Sequence, residues 1–107
     1  MQVVEDIKRE ISTAMGSELK EIILYGSYAR NDQTTDSDID IVVLLDGDIS
    51  DKSAIREKLA DIKVDLSLKY DVVISIIIKK YNQYLKNRDF VPFYSNIYKE
   101  GVEIYAG

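Results

Sequence analysis

Residues 24–45, LYGSYARNDQTTDSDIDIVVLL, decide how this chain folds. Two apolar runs, Glu21–Tyr25 and Ile39–Leu45, enclose a polar segment that opens on Gly26-Ser27 and closes on Asp38-x-Asp40. Each run is rich in aliphatic or β-branched residues, bounded by turn formers and of strand length, so each predicts a buried strand. Gly26 has no Cβ and suits a tight turn or a close backbone approach. Ser27 then has the chemistry to cap a short helix, SYARN. The second run is apolar on both faces, the mark of a strand covered from both sides.

Working outward, Val3, Ile7, Ile11 and Ala14 or Met15 recur at helical spacing, with Gly16 as the stop. From Asp51 to about Tyr70, a second stripe of Ile55, Leu59, Ile62 and Leu66 predicts the longest helix, capped by Ser50 or Asp51. Val72–Ile78 reads as a third, buried strand. A short helix over Tyr81–Arg88 follows, then a last helix opened by Pro92 and ended by Gly101, and a short edge strand, VEIYA. This alternation predicts an α/β (α+β) fold, with a small mixed sheet of three to four strands and helices packed on it. The 107 residues read as one domain, 1–107.

Composition narrows the chemistry. The chain has neither cysteine nor histidine, so thiolate nucleophiles, Ser-His-Asp triads and imidazole metal ligands are all excluded. A net charge of −5 argues against an extended nucleic-acid face, although the Lys79-Lys80 and Lys86 to Arg88 positions form a modest basic patch. No apolar stretch suits a signal peptide or a membrane span, and the expected location is the cytoplasm. Tyr81, Tyr84, Tyr94 and Tyr98 sit at offsets of three and four, which fits completion of a small core better than a partner surface.

The remaining chemistry collects in the opening stretch. Asp38 and Asp40 are two apart at a strand entry, so their carboxylates share one side, ~6 to 7 Å apart along the chain. With no His, Cys or Lys in the segment, their natural partner is a hard divalent cation such as Mg²⁺, which takes one or two carboxylates plus phosphate oxygens. Gly26-Ser27 stands at a strand-to-helix turn, where unpaired N–H groups attract phosphate. Arg30, one turn on, adds a positive charge beside a triphosphate.

Gly26, Ser27, Asp38 and Asp40 match the GSx10DxD signature of the DNA polymerase β-like nucleotidyltransferases, and GSYARNDQTTDSDIDIVV resembles its minimal branch, the MNT proteins. The resemblance implies the nucleotidyltransferase fold over nearly the whole chain. It implies that Gly26-Ser27 hold the β and γ phosphates of ATP, and that Asp38 and Asp40 bind Mg²⁺, two ions with nucleotide present. AMP would pass to a hydroxyl, and the partner implied is a HEPN-type toxin modified on a tyrosine, with this chain as antitoxin. The assembly is left open between a homo-oligomer and a hetero-oligomer. Where relatives often carry Gly after Ala-Arg, this chain has Asn31, which tolerates the same left-handed backbone.

The third carboxylate that the resemblance implies is not fixed by sequence. Asp71 precedes the third strand and alternates with Val73, Ser75 and Ile77 on one face; Asp65 is a second candidate. Ser75 occupies the mid-strand place where that acid is otherwise expected, and if it is the counterpart the acid is missing. The chain is then an incomplete enzyme that neutralises a toxin by binding alone. A third reading, transfer to a small molecule or an RNA end, is disfavoured because 107 residues leave no room for an acceptor-binding domain.

Overall fold

A computed structural model of the protein describes residues 1–47 and 52–107, so the Ser50 or Asp51 cap lies outside the described residues. The elements run α1 (Gln2–Met15), a 3₁₀ turn (Gly16–Glu18), β1 (Leu19–Tyr25), α2 (Ser27–Arg30), β2 (Ile39–Leu45) and α3 (Lys52–Tyr70). Then come β3 (Ile74–Lys80), α4 (Tyr81–Asn87), α5 (Pro92–Glu100) and β4 (Val102–Ala106). They form a four-stranded mixed sheet in the order β3-β2-β1-β4. β1 is antiparallel to β2 and to β4, whereas β2 and β3 are parallel and need the α3 crossover between them.

The period-two alternation of the strands divides the core. Ile22, Leu24, Ile39, Ile41, Val43 and Leu45 face α1 and α3, meeting Ile7, Ile11, Leu59 and Leu66. Ile23, Val42 and Leu44 face α4 and α5, meeting Tyr84, Tyr94 and Ile97. β2 is therefore covered on both faces, as its sequence predicts. Tyr84 and Tyr94 are core residues, whereas Tyr98 is 50% exposed and lies under the Arg88 guanidinium, 4.2 Å from its ring centroid.

Two expectations need correction. The third strand begins at Ile74 rather than Val72, because Asp71 takes φ 53° and turns the chain out of α3 before extension resumes. It is also an edge strand, half-exposed after Ile74, and not a buried one. β-branched residues report extension but not which neighbour covers them.

One buried charge was not legible beforehand. Asp6 is 1% exposed, on the apolar face of α1, and accepts hydrogen bonds from the Tyr70 hydroxyl, Lys69 Nζ (3.1 Å) and Gln2 Nε2 (3.2 Å). Arg9 adds an ion pair at 2.9 Å. These donors, Tyr70 foremost, hold the Asp6 carboxyl far below the usual carboxylate range and tie α1 to the end of α3. A depressed carboxylate stabilises the fold above its unfolded pKa of about 4 and loses that contribution as pH falls below it. Asp6→Asn should therefore lower Tm at pH 7, with the gap to wild type narrowing below about pH 4 in thermal melts followed by circular dichroism.

On the other face, Glu21 of β1 is pushed up to about 7, first by burial and then by Glu103 of β4. Here the sign reverses. The contribution is complete below the unfolded Glu value of about 4.3 and is lost as pH rises through 7. Glu103→Gln should raise Tm at pH 8 and change it little at pH 5, because it removes the repulsion only where Glu21 is ionised.

Candidate active site

The antiparallel register of β1 and β2 sets Tyr25 opposite Asp40, and the parallel register of β2 and β3 sets Ser75 beside Asp40. Paired residues on neighbouring strands share a face, so Tyr25, Asp40 and Ser75 form a row across the sheet on the α4 and α5 side. Gly26 follows Tyr25 with φ 74° and ψ −152°, a combination open essentially to glycine alone. A Cβ built on it would lie 2.5 Å from Asp40 Oδ2. The backbone of the Gly-Ser turn and the second aspartate of the Asp-x-Asp pair are thus in van der Waals contact.

Gly26, and not Ser27, is the cap position of α2; its carbonyl accepts the N–H groups of Ala29 (3.1 Å) and Arg30 (3.2 Å). Ser27 is the first helical residue and its hydroxyl makes no capping bond, which corrects the expectation from sequence. As a first-turn residue it presents a backbone N–H with no partner inside the helix. Asn31 ends α2 at φ 59°, ψ 32°, the left-handed conformation that its side chain tolerates. The Arg30 guanidinium is exposed and pairs with Asp32 through Nε at 3.2 Å.

The loop back to β2 is held by its own side chains. Ser37 Oγ accepts the Thr34 N–H at 2.8 Å, and the Ser37 N–H returns to the Thr34 carbonyl at 3.1 Å. Asp38 follows, and the Ile39 N–H then bonds to the Val73 carbonyl at 2.8 Å, locking the entry of β2 against β3. Burial raises the Asp40 carboxyl above the ordinary Asp value, and the Asp38 charge raises it further. Burial and the Asp40 charge likewise raise Tyr25.

Two clefts flank this contact. One of about 290 Å³ is lined by Tyr25, Gly26, Arg30, Phe93, Asn96, Ile97 and Glu100. The other, of about 260 Å³, is lined by Asp36, Asp38 and Asp71 with Thr35, Ser37, Ser67, Val72 and Val73. Asp71 thus shares a cleft with Asp38, but from the α3–β3 turn and not from the strand, and the expected alternation through Val73, Ser75 and Ile77 does not reach it. Asp65 is exposed on α3 and does not line that cleft. Among the described residues no three or more Asp, Glu, His or Cys side chains form a group that could hold a metal ion.

Sequence reasoning missed Tyr25, Asp36, Phe93 and Asn96. Tyr25 had a signal, since it ends the strand that Gly26 terminates. Phe93 and Asn96 had none, because their approach depends on α5 folding back over β1.

The nucleotidyltransferase domain family model matches residues 4–101. Two Methanocaldococcus jannaschii proteins named "Putative protein adenylyltransferase" are similar over most of their length. MJ0141 is 38% identical over 75% of this chain and 79% of its own length. MJ0604 is 32% identical over 97% of this chain and 96% of its own. In fold, the chain superposes on one from a crystal structure of a toxin-antitoxin with AMP-PNP, with a TM-score of 0.64, 19% identity and coverage of 97% and 73%. It also superposes on a chain of the tri-AMPylated Shewanella oneidensis HEPN toxin in complex with MNT antitoxin, with a TM-score of 0.55, 18% identity and coverage of 99% and 72%.

Gly26→Ala should lower Tm, because the new methyl meets both the positive φ and the Asp40 carboxylate. The double variant Gly26→Ala/Asp40→Ala removes the second obstacle and should recover part of the lost Tm, as read by calorimetry.

Proposed function

We propose that this chain, which belongs to the nucleotidyltransferase domain family, transfers AMP from ATP to a tyrosine hydroxyl of a HEPN-type toxin partner and so acts as its antitoxin. The observation that carries this reading is the contact between Gly26 and Asp40, which brings the two halves of the signature, ten residues apart in sequence, into one site. Family membership and the names of the relatives support the reaction class. The HEPN partner is inferred from the fold neighbours.

The donor set fits Mg²⁺. Asp38 and Asp40 are close enough for one to raise the other's pKa, and a cation relieves that repulsion while leaving coordination positions for phosphate oxygens. When bound, the ion neutralises charge on the phosphates and favours in-line displacement at the α-phosphorus. The backbone N–H groups after Gly26 orient the β and γ phosphates, and Arg30, beside the same cleft, offsets their charge. The tyrosine oxygen forms a bond to the α-phosphorus, the bond to the bridging oxygen breaks and pyrophosphate leaves. The hydroxyl proton passes to a carboxylate of the acidic cleft, for which Asp71 is the candidate, or to water.

A second reading has its own observation. Ser75 stands beside Asp40 at the register position where a third carboxylate on the strand would lie, and a serine hydroxyl is no base at neutral pH. In that case the chain binds its partner without modifying it.

Incubation of the purified chain with Mg-ATP and a candidate HEPN partner protein, followed by intact-mass spectrometry, separates the two. An AMP adduct on the partner is expected. It should disappear with EDTA and fall by at least about a hundredfold in rate with Asp38→Asn or Asp40→Asn, whose folds should remain intact. Inhibition of the toxin with no adduct would establish binding alone.

A further inference from the structure

The free edge of β3 carries a feature that nucleotidyl transfer does not use. The two edges of the sheet differ. β4 is five residues long, and its pairing with β1 carries a register irregularity, the kind of device that blunts an edge. β3 is seven residues long, contains no proline or glycine and keeps an unbroken register with β2. Its centre, Ile76-Ile77-Ile78, is as apolar as the fully covered β2, yet these residues are half-exposed. In a parallel pair, alternate residues direct their backbone groups to the neighbour. Because Val73 bonds to Ile39, the amides and carbonyls of Ile76 and Ile78 point away from the sheet.

α3 turns this edge into a groove. Arg56, Leu59, Ala60 and Lys63 recur at one helical stripe and, with Ile76–Ile78, line a cleft of about 400 Å³. Its floor is aliphatic, its rim holds two cations and among the described residues no carboxylate lines it. Among the described residues neither Arg56 nor Lys63 is in a salt bridge. Lys80 ends the strand with the parity of Ile76 and Ile78, whereas Lys79 turns to the opposite face, over the Phe93 ring. In a chain of net charge −5, this seam is a positive exception.

We propose that the groove between α3 and the edge of β3 receives an extended acidic segment of a partner protein, which joins the sheet as an additional strand. Main-chain bonds to Ile76 and Ile78 hold it, and the side chains on its α3 face, some apolar against Leu59 and Ala60 and some acidic against Arg56 and Lys63, set its specificity. The charge selects this occupant over a second copy of the chain. Pairing two β3 edges would bring Arg56, Lys63 and Lys80 of both copies along one seam, and like charges across an interface are costly.

The test uses a fluorescein-labelled octapeptide with threonine at every second position and valine and glutamate by turns at the others, so that both types share one face, titrated against the full chain by anisotropy and by ¹H–¹⁵N correlation spectra. Binding is expected, with the Ile76 and Ile78 amides shifting most. Arg56→Glu/Lys63→Glu, both on the exposed side of α3, should weaken it about tenfold or more. Ile78→Pro should also weaken it, since proline is tolerated at an edge amide that bonds to no neighbour. A peptide N-methylated at every amide should not bind. The proposal is overturned by the absence of any anisotropy change, by equal binding of a lysine-valine peptide or of the methylated one, or by sedimentation showing a dimer that Ile78→Pro dissolves.

Discussion

The Asp40 carboxylate stands where a side chain on Gly26 would begin, 2.5 Å from that position, and much of the molecule is arranged to keep it there. The contact requires β1 and β2 to pair with Tyr25 opposite Asp40, since a slip of one residue would send the carboxylate to the α1 and α3 face. Register is secured by burial. The apolar residues of β2 alternate between two covered faces, and a slip would exchange every one of them. The helices pressing on the sheet therefore hold the site as much as the residues that form it.

The two faces bear different electrostatic loads. On the α1 and α3 side Asp6, the one buried carboxylate among the described residues, has a full set of donors, so the charge is satisfied and removal of a partner is what costs. On the α4 and α5 side the fold favours protonation of Glu21, which has Glu103 beside it, and of Asp40, which has Asp38 beside it. The Arg88 charge partly offsets the rise at Glu21, whereas burial and the Asp38 charge both raise Asp40.

Much of this was legible in the sequence for physical reasons. β2 was read to the residue, because a seven-residue apolar run between Asp38 and Asp46 has one extended solution. Asn31 was read correctly from its tolerance of positive φ. The α3–β3 turn was misread because Asp71 belongs to the same class of residue, yet a single sequence does not show whether an Asp before a β-branched run opens the strand or turns the chain. Ser27 was misplaced by one position because Gly26, with the freer backbone, took the cap. Asp6 was invisible, since its partners Lys69 and Tyr70 lie sixty residues away and only the packing of α1 on α3 joins them. The approach of α5 to Gly26 was hidden for the same reason.

The connectivity of the sheet has a kinetic corollary. Gly26 and Asp40 sit on consecutive antiparallel strands separated by a short loop, so closing them costs little chain entropy. β3 reaches β2 only after the nineteen-residue α3 has crossed over, a contact of much longer range. The residues of the signature thus meet through the shortest closure in the sheet, while the strand bearing Ser75 arrives through a longer one. The shorter closure favours formation of the Gly-Ser and Asp-x-Asp juxtaposition before the crossover completes the sheet around it.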